Sequence, residues 1–192
     1  MKINYANGVK NDSIKTSKIK SLGMLFENQI NLSNEYYLTN NIANIHKKPT
    51  PIQVVKVEYP KRSRAKITEA YYRTASTTDY NGIYKGKYID FEAKETNSNL
   101  FPFKNISIHQ INHLLSVNKM GGIAFLIIFF RLFNEVYLLD IKDFSNLKDS
   151  GDKSISISKI SKLGKKVETG YSPLVNYLKT IDNVYFDTKK EG

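Results

Sequence analysis

The stretch TTDYNGIYKGKYIDFEAKET, residues 77–96, decides the fold of this chain. It contains two runs rich in β-forming residues, Thr78–Tyr84 and Lys87–Thr96, which flank Lys85-Gly86. Two such runs separated by two residues that include a glycine are typical of a β-hairpin. The sequence therefore predicts two antiparallel neighbouring strands at its centre.

The second strand of this hairpin alternates between apolar and polar side chains, so its two faces differ. The face predicted to pack on the core carries Ile89, Phe91 and Ala93. The opposite face carries Asp90, Glu92 and Lys94. Because hairpin strands run antiparallel, we expect Asp79 on the first strand to lie close to Glu92. The sequence thus predicts two carboxylates from neighbouring strands beside one lysine.

This combination of side chains suits phosphodiester hydrolysis. Two carboxylates can hold a hard divalent cation, which prefers oxygen ligands and lowers the pKa of a bound water. Lys94 can place positive charge where negative charge develops in the transition state. The plainer alternative is a structural charge pair, because Glu-x-Lys on a strand is common. Asp90 shares the polar face, and we expect it to lie one step outside the metal cluster.

The chain is strongly basic, with 29 Lys and Arg against 18 Asp and Glu and a net charge of +11. Over half of the excess lies within residues 47–73, where eight basic residues accompany two acidic ones. The same window contains Tyr59, Tyr71 and Tyr72. Basic and aromatic side chains together suit phosphate contacts and base stacking, although a solvated charged surface is the plainer alternative. Nucleic acid is therefore the first candidate partner, and an acidic membrane surface is a distant second.

The remaining pattern predicts a single α/β domain. Residues 1–22 lack apolar periodicity and predict a flexible basic arm, while residues 23–192 predict one domain. Residues 61–77 are too polar for a core and predict an excursion between two strands. We expect helices at about 23–41, 107–119 and 172–180, and strands at about 52–59, 78–84, 87–96, 122–130, 135–140 and 184–186. This order predicts a mixed sheet covered on both faces.

Two features of composition exclude other classes of protein. The chain has no cysteine, which excludes disulfides, thiolate metal sites and a cysteine nucleophile and fits a cytoplasmic location. The longest apolar run is Ile123–Phe130, far short of the roughly 20 residues that cross a bilayer. We therefore expect a buried strand there and no association with membranes.

The motif also resembles that of a known group of nucleases. Asp79 followed by Glu92-Ala93-Lys94 is similar to the Asp…(Asp/Glu)-x-Lys signature of the restriction-endonuclease-like nucleases. Residues 45–96 (IHKKPTPIQVVKVEYPKRSRAKITEAYYRTASTTDYNGIYKGKYIDFEAKET) and 101–113 (FPFKN…HQINH) resemble, more specifically, the RecU family of Holliday-junction resolvases. The central block is long and contiguous, so chance is a poor explanation for the likeness.

The resemblance to the RecU family extends over about residues 20–186. Residues 23–43 (GMLFENQINLSNEYYLTNNIA) and 170–178 (GYSPLVNYL) match less tightly than the central block. The spacing from Glu92 to Gln110 is one residue shorter than expected for relatives, which leaves Gln110 less firmly matched than the carboxylates.

The resemblance implies both a fold and a set of site residues. The implied fold is a restriction-endonuclease-like mixed central β-sheet flanked by helices, with a stalk at about residues 60–77 inserted between two strands. The implied catalytic residues are Asp79, Glu92 and Lys94. The implied metal ligands are Thr77, Asp79, Glu92 and Gln110. Together with the basic and tyrosine-rich pattern, the stalk predicts a DNA-binding set of Lys61, Arg62, Arg64, Lys66, Tyr71, Tyr72 and Arg73.

The implied activity is that of a Mg²⁺-dependent endonuclease, with Mn²⁺ as a possible substitute. A homodimer of the family nicks two opposed strands of a four-way junction symmetrically and leaves 5′-phosphate ends, in homologous recombination and DNA repair. The further partners that the family implies are a branch-migration helicase and a strand-exchange recombinase. Two alternatives stay open: a nuclease of the same fold acting on other DNA, and a non-catalytic nucleic-acid-binding protein.

Overall fold

The structure, a computed structural model, has an α/β fold and describes residues 22–61, 64–72 and 78–187. Its helices are α1 (Leu22–Thr39), α2 (Ile108–Lys119), α3 (Ile141–Asp149), α4 (Ile157–Leu163) and α5 (Tyr177–Ile181). Its strands are β1 (Asn44–Lys47), β2 (Ile52–Lys61), β3 (Arg64–Tyr72), β4 (Tyr80–Tyr84), β5 (Lys87–Thr96), β6 (Leu100–Pro102), β7 (Ile123–Phe130), β8 (Glu135–Asp140), β9 (Ser154–Ser156) and β10 (Lys165–Val167). The predicted N-terminal arm lies, up to residue 21, outside the described residues.

A six-stranded sheet of order β1-β4-β5-β7-β8-β10 forms the centre of the fold. β5 and β7 pair in parallel, whereas the other neighbours pair antiparallel, so the predicted mixed sheet is confirmed. α1 and α5 pack on one face around Phe91 and Phe125, and α2, α3 and α4 pack on the other around Leu126. Coverage on both faces explains why β7 is an uninterrupted apolar run.

The central hairpin forms as the sequence predicts, because its turn suits the residues that occupy it. Lys85 and Gly86 both have positive φ values, 47° and 75°, which is the conformation that two-residue hairpin turns require. The turn sets the register in which Tyr80 lies opposite Phe91. Asp79, one residue earlier, is consequently brought next to Glu92.

The predicted helix at 107–119 is confirmed, and its first turn is closed by a capping box. Ser107 Oγ accepts a hydrogen bond from the backbone N–H of Gln110, and the Ser107 N–H donates to Gln110 Oε1 at 3.0 Å. This reciprocal pair satisfies two helix N–H groups that would otherwise lack partners. It also fixes the position from which the Gln110 side chain extends toward the central sheet.

β2 and β3 form a separate two-stranded sheet, which we call the projecting hairpin (residues 52–72). The hairpin is inserted between β1 and β4, which are hydrogen-bonded neighbours in the central sheet, with Lys47 opposite Tyr80. Nine of the ten β2 residues are exposed. The strand predicted at 52–59 therefore exists, but it is the first arm of the projection and not a strand of the core sheet.

Two expectations about the C-terminal part are wrong. The last helix begins at Tyr177 and not at Pro173, because Thr169 and Val175 pair as an isolated bridge and Gly170 N–H donates to the Leu174 carbonyl. The edge strand expected at 184–186 is instead part of a π-helical turn over Asp182–Phe186 that continues α5. Within the described residues, no helix has both the length and the apolar character needed to span a membrane.

Candidate active site

Two carboxylates lie side by side where β4 begins and in the middle of β5. The backbone N–H of Asp79 donates to Glu92 Oε2 at 3.0 Å, and the backbone N–H of Ala93 donates to Asp79 Oδ2 at 3.2 Å. Each carboxylate is therefore held by the backbone of the other strand. This reciprocal pairing follows from the hairpin register and brings together the two acids that the sequence predicts as metal ligands.

Lys94 and Gln110 complete the surroundings of Glu92. The Lys94 ammonium forms an ion pair with Glu92 Oε1, and Gln110 Nε2 donates to the same oxygen at 2.6 Å. The amide oxygen of Gln110 is occupied by the capping box with Ser107. In this structure Gln110 thus presents its amide nitrogen, and not its oxygen, to the predicted metal site.

Glu92 is fully buried, and its environment raises its pKa from 4.5 to about 7. Loss of water around the carboxylate is the main cause, the negative charge of Asp79 is the second, and the positive charge of Lys94 opposes both. A buried carboxylate beside a second acidic side chain forms a donor set that a hard divalent cation fits, since the cation supplies the missing positive charge. The site residues therefore fit Mg²⁺.

A cavity of about 280 Å³ opens beside this pair and is lined by Phe26, Glu27, Asp79, Ala93, Lys94 and Glu95. The sequence reasoning did not single out Glu27 or Glu95. The helical pattern of α1 could have indicated Glu27. It directly follows the buried Phe26 and therefore lies at the edge of the helix face that packs on the sheet. Glu27 pairs with Lys47, and Glu95 pairs with Arg131 at 3.1 Å.

The predicted DNA-binding residues lie on the projecting hairpin or outside the described residues. Lys61, Arg64, Lys66 and Tyr71 are exposed on the hairpin. Only the backbone of Tyr72 is described, and Thr77, Arg62 and Arg73 lie outside the described residues. In the part of the chain that is described, no three His, Asp or Glu side chains form a ready-made metal cage, so the carboxylate pair needs further oxygen ligands.

The sequence as a whole matches a known family over most of its length. A family model described as Recombination protein U (RecU) matches residues 21–183. This chain belongs to the RecU family. The membership confirms the resemblance that the central block predicts, and it covers every element from α1 to α5.

Relatives named RecU match nearly the whole length of this chain. A protein of Bacillus cytotoxicus named Holliday junction resolvase RecU is 50% identical, over 97% of this chain and 100% of the relative. Proteins of the same name from Bacillus cereus and Bacillus mycoides are 49% identical over the same shares. A solved structure of Hjc from Archaeoglobus fulgidus, described as a Holliday junction resolvase, has a TM-score of 0.45 and 12% identity and covers 75% of this chain and 95% of its own.

The raised pKa of Glu92 predicts that cation binding releases a proton near neutral pH. The cation needs the carboxylate, and at pH 6 the cation-free protein holds this group mostly protonated. Calorimetric titration with Mn²⁺ in two buffers of different ionisation enthalpy should show release of about one proton per cation at pH 6 and about none at pH 9. Equal proton release at both pH values would contradict the assignment.

The raised pKa of Glu92 also makes the stability of the cation-free protein depend on pH. The unfolded chain loses the Glu92 proton near pH 4.5, whereas the folded chain keeps it until about pH 7. Between these values the folded state binds more protons, so the free energy of unfolding falls as the pH rises. Denaturant unfolding of a Glu92→Gln variant should lack this part of the pH dependence.

Proposed function

We propose that this chain is a Mg²⁺-dependent endonuclease that resolves Holliday junctions as a homodimer, by paired symmetric nicks that leave 5′-phosphate ends. One arrangement supports this function most directly: the acidic pair with its lysine lies at the base of a projecting basic hairpin. Asp79 directly precedes β4, the strand that follows the hairpin along the chain, and Glu92 lies on the neighbouring strand β5. The names of the full-length relatives at 49–50% identity point to the same activity.

In this proposal Asp79 and Glu92 hold the cation, and Thr77 is a further ligand that the resemblance to the family implies. Gln110 joins them only if its amide turns, because its oxygen now accepts from the Ser107 N–H and its nitrogen donates to Glu92. When bound, Mg²⁺ (or Mn²⁺ in its place) supplies a lower pKa for a water nucleophile and neutralises charge on the phosphate. Lys94 holds its ammonium at the cavity edge, where it stabilises negative charge that develops on the scissile phosphate.

The hairpin is proposed to recognise DNA through its backbone and shape. Basic side chains that project into solvent contact phosphates without reading bases, and exposed tyrosines such as Tyr71 can stack on unpaired bases. A four-way junction has two-fold symmetry, and a two-fold dimer presents two equivalent active sites to it. This symmetry accounts for paired nicks in opposed strands.

The test is cleavage of a synthetic four-way junction with Mg²⁺, compared with linear duplexes of the same sequences. We expect two symmetric nicks in the junction and little cutting of the duplexes. Equal cutting of both substrates would favour a nuclease of the same fold acting on other DNA. Tight binding without cutting would favour a non-catalytic nucleic-acid-binding protein.

The basic side chains of the hairpin predict a specific salt dependence. Replacing Lys61, Arg64 and Lys66 by Ala should reduce the slope of log affinity against log salt by about 2 to 3, because each phosphate contact contributes about 0.9. Filter binding or anisotropy at several salt concentrations measures this slope. The matched control removes three exposed lysines at the opposite edge of the fold, Lys162, Lys165 and Lys166, and should leave the slope nearly unchanged.

We also propose a cytoplasmic location and contacts with a branch-migration helicase and a strand-exchange recombinase. These partners are the ones that the resemblance to the family implies, and the family model is described as a recombination protein. Co-purification of each partner with the tagged chain after nuclease treatment would test them, and loss of both partners after that treatment would contradict direct contact.

A further inference from the structure

Asp90 lies two residues before Glu92 on the same face of β5 and is fully buried. A buried carboxylate is costly unless it is paired and hydrogen-bonded. Both of its oxygens have partners: Oδ1 accepts from the Thr78 hydroxyl, while Oδ2 accepts from Lys48 Nζ at 2.6 Å and Tyr88 OH at 2.9 Å and lies 3.0 Å from His113 Nε2. Its surroundings are therefore those of a structural anion.

Two of these partners, Lys48 and Thr78, lie where the chain leaves the central sheet before the projecting hairpin and where it re-enters the sheet afterwards. We call these two points the feet of the hairpin. Lys48 directly follows β1, and Thr78 comes two residues before β4. The feet also contact each other, because Lys48 Nζ donates to the Thr78 hydroxyl and the Lys48 N–H donates to the Asp79 carbonyl at 2.8 Å. Asp90 thus ties both feet to the strand that carries Glu92.

The contacts of Asp90 run parallel to those of Glu92. Asp90 holds Thr78, and Glu92 holds the next residue, Asp79. Asp90 also contacts His113 on α2, one turn after Gln110, which binds Glu92. Asp90 and Glu92 therefore both contact the segment before β4 and helix α2, at neighbouring positions. Glu92 does so within the predicted metal site and Asp90 beside it.

We propose that Asp90 is a positioning residue, which places Asp79 beside Glu92 by clamping the hairpin feet to β5. It acts through Thr78 and Lys48 and does not itself bind the cation. Because Thr78 and Asp79 are consecutive, loss of the Thr78 contact lets the Asp79 carboxylate move, and a misplacement of about 1 Å can cost about 10²-fold in rate. This role rests on the proposed function, in which Asp79 and Glu92 hold the cation.

The experiment compares Asp90→Asn, Lys48→Met and their double variant with the wild type. Mn²⁺ affinity is measured by calorimetry without DNA, junction affinity without cation, turnover with saturating junction, and stability by thermal unfolding. We expect each single variant to weaken Mn²⁺ binding and lower turnover by about 10- to 100-fold, as for other groups that orient metal ligands. Junction affinity should stay within about 3-fold, because the hairpin surface is unchanged.

The direction in which Lys48→Met changes the Mn²⁺ affinity distinguishes a positioning role of Asp90 from direct coordination. If Asp90 were a cation ligand, removal of the neighbouring ammonium would strengthen Mn²⁺ binding. Positioning predicts weaker binding, although a positive charge has been removed. Lys166→Met serves as the charge control, since it removes an exposed lysine from β10 at the other edge of the sheet and should not affect Mn²⁺ affinity.

The double variant and Thr78 separate positioning from a loss of stability. The double variant carries no unpaired buried charge, so it should recover much of the thermal stability lost in the single variants but not their Mn²⁺ affinity. Thr78→Ser keeps the hydroxyl and should retain Mn²⁺ affinity, whereas the isosteric Thr78→Val should lose it. The two Thr78 variants test the positioning role even if Asp90→Asn or Lys48→Met does not fold.

Two results would overturn the positioning role: Mn²⁺ affinity that is unchanged or tighter in Lys48→Met, or affinity that recovers together with stability in the double variant. Failure of the proposed function has a different signature. In that case the wild type would not cut junctions, while the Mn²⁺ titrations would still report on Asp90.

Discussion

Glu92→Gln is expected to slow junction cleavage by at least about 10³-fold in Mg²⁺. Glutamine matches glutamate in size and its amide oxygen can still accept the N–H of Asp79, while its amide nitrogen replaces the oxygen that accepts from Lys94 and Gln110. The substitution removes the charge that would hold the cation and leaves the Lys94 ammonium without its ion pair. Single-turnover cleavage of a four-way junction measures the effect.

Junction binding without cation separates this chemical defect from misfolding. We expect binding of Glu92→Gln to be equal to or slightly tighter than that of the wild type, because a negative charge has been removed near DNA. The matched control is Glu168→Gln, an exposed glutamate that pairs with Lys179, and it should cut normally. Cleavage by Glu92→Gln within about 10-fold of the wild type would contradict the role of Glu92 as a ligand.

Shortening the projecting hairpin is expected to remove the preference for junctions. Replacing residues 55–69 by Asn-Gly keeps the pairing of Val54 with Ala70 and closes the arms with a favoured two-residue turn. The variant loses most of the basic projection, so we expect junction affinity to fall by at least about 100-fold. Competition between junction and linear duplex in one cleavage reaction measures the preference, which should approach unity.

The shortened variant should keep its active site, because the projecting hairpin pairs only with itself among the described strands. Its Mn²⁺ affinity and thermal unfolding should therefore match those of the wild type. A second control keeps the full hairpin and exchanges Lys61 and Lys66 for Arg, which preserves the charge. Undiminished junction selectivity in the shortened variant would refute the proposed role of the hairpin.

The core of the site could be predicted from sequence because its signals are local. The alternation of β5 assigns Phe91 and Glu92 to opposite faces, and the Lys85-Gly86 turn sets the register that brings Asp79 to Glu92. The capping box of Ser107 and Gln110 is likewise contained within four residues. Short-range chemistry of this kind is readable without knowledge of the fold.

The features that could not be predicted depend on partners distant in sequence. β-branched residues favour a strand at Ile52–Lys61, but propensity does not say whether its partner is the core sheet or a second arm. The sequence places Asp90 one step outside the metal cluster but does not reveal its partners, because Lys48 lies 42 residues earlier and His113 23 residues later. The sequence does not predict β1 for a different reason, because a strand of four residues gives little periodic signal.

The insertion of the projecting hairpin between β1 and β4 has a consequence for how such proteins can diverge. Both feet lie at one point of the core, since Lys47 pairs with Tyr80 and Lys48 bonds to Asp79. Residue pairs can be added to or deleted from the arms without moving either end, and each pair changes the reach by about 3.3 Å. Evolution or an engineer can therefore adjust the length of this arm as an independent module while the chemistry at its base is inherited unchanged.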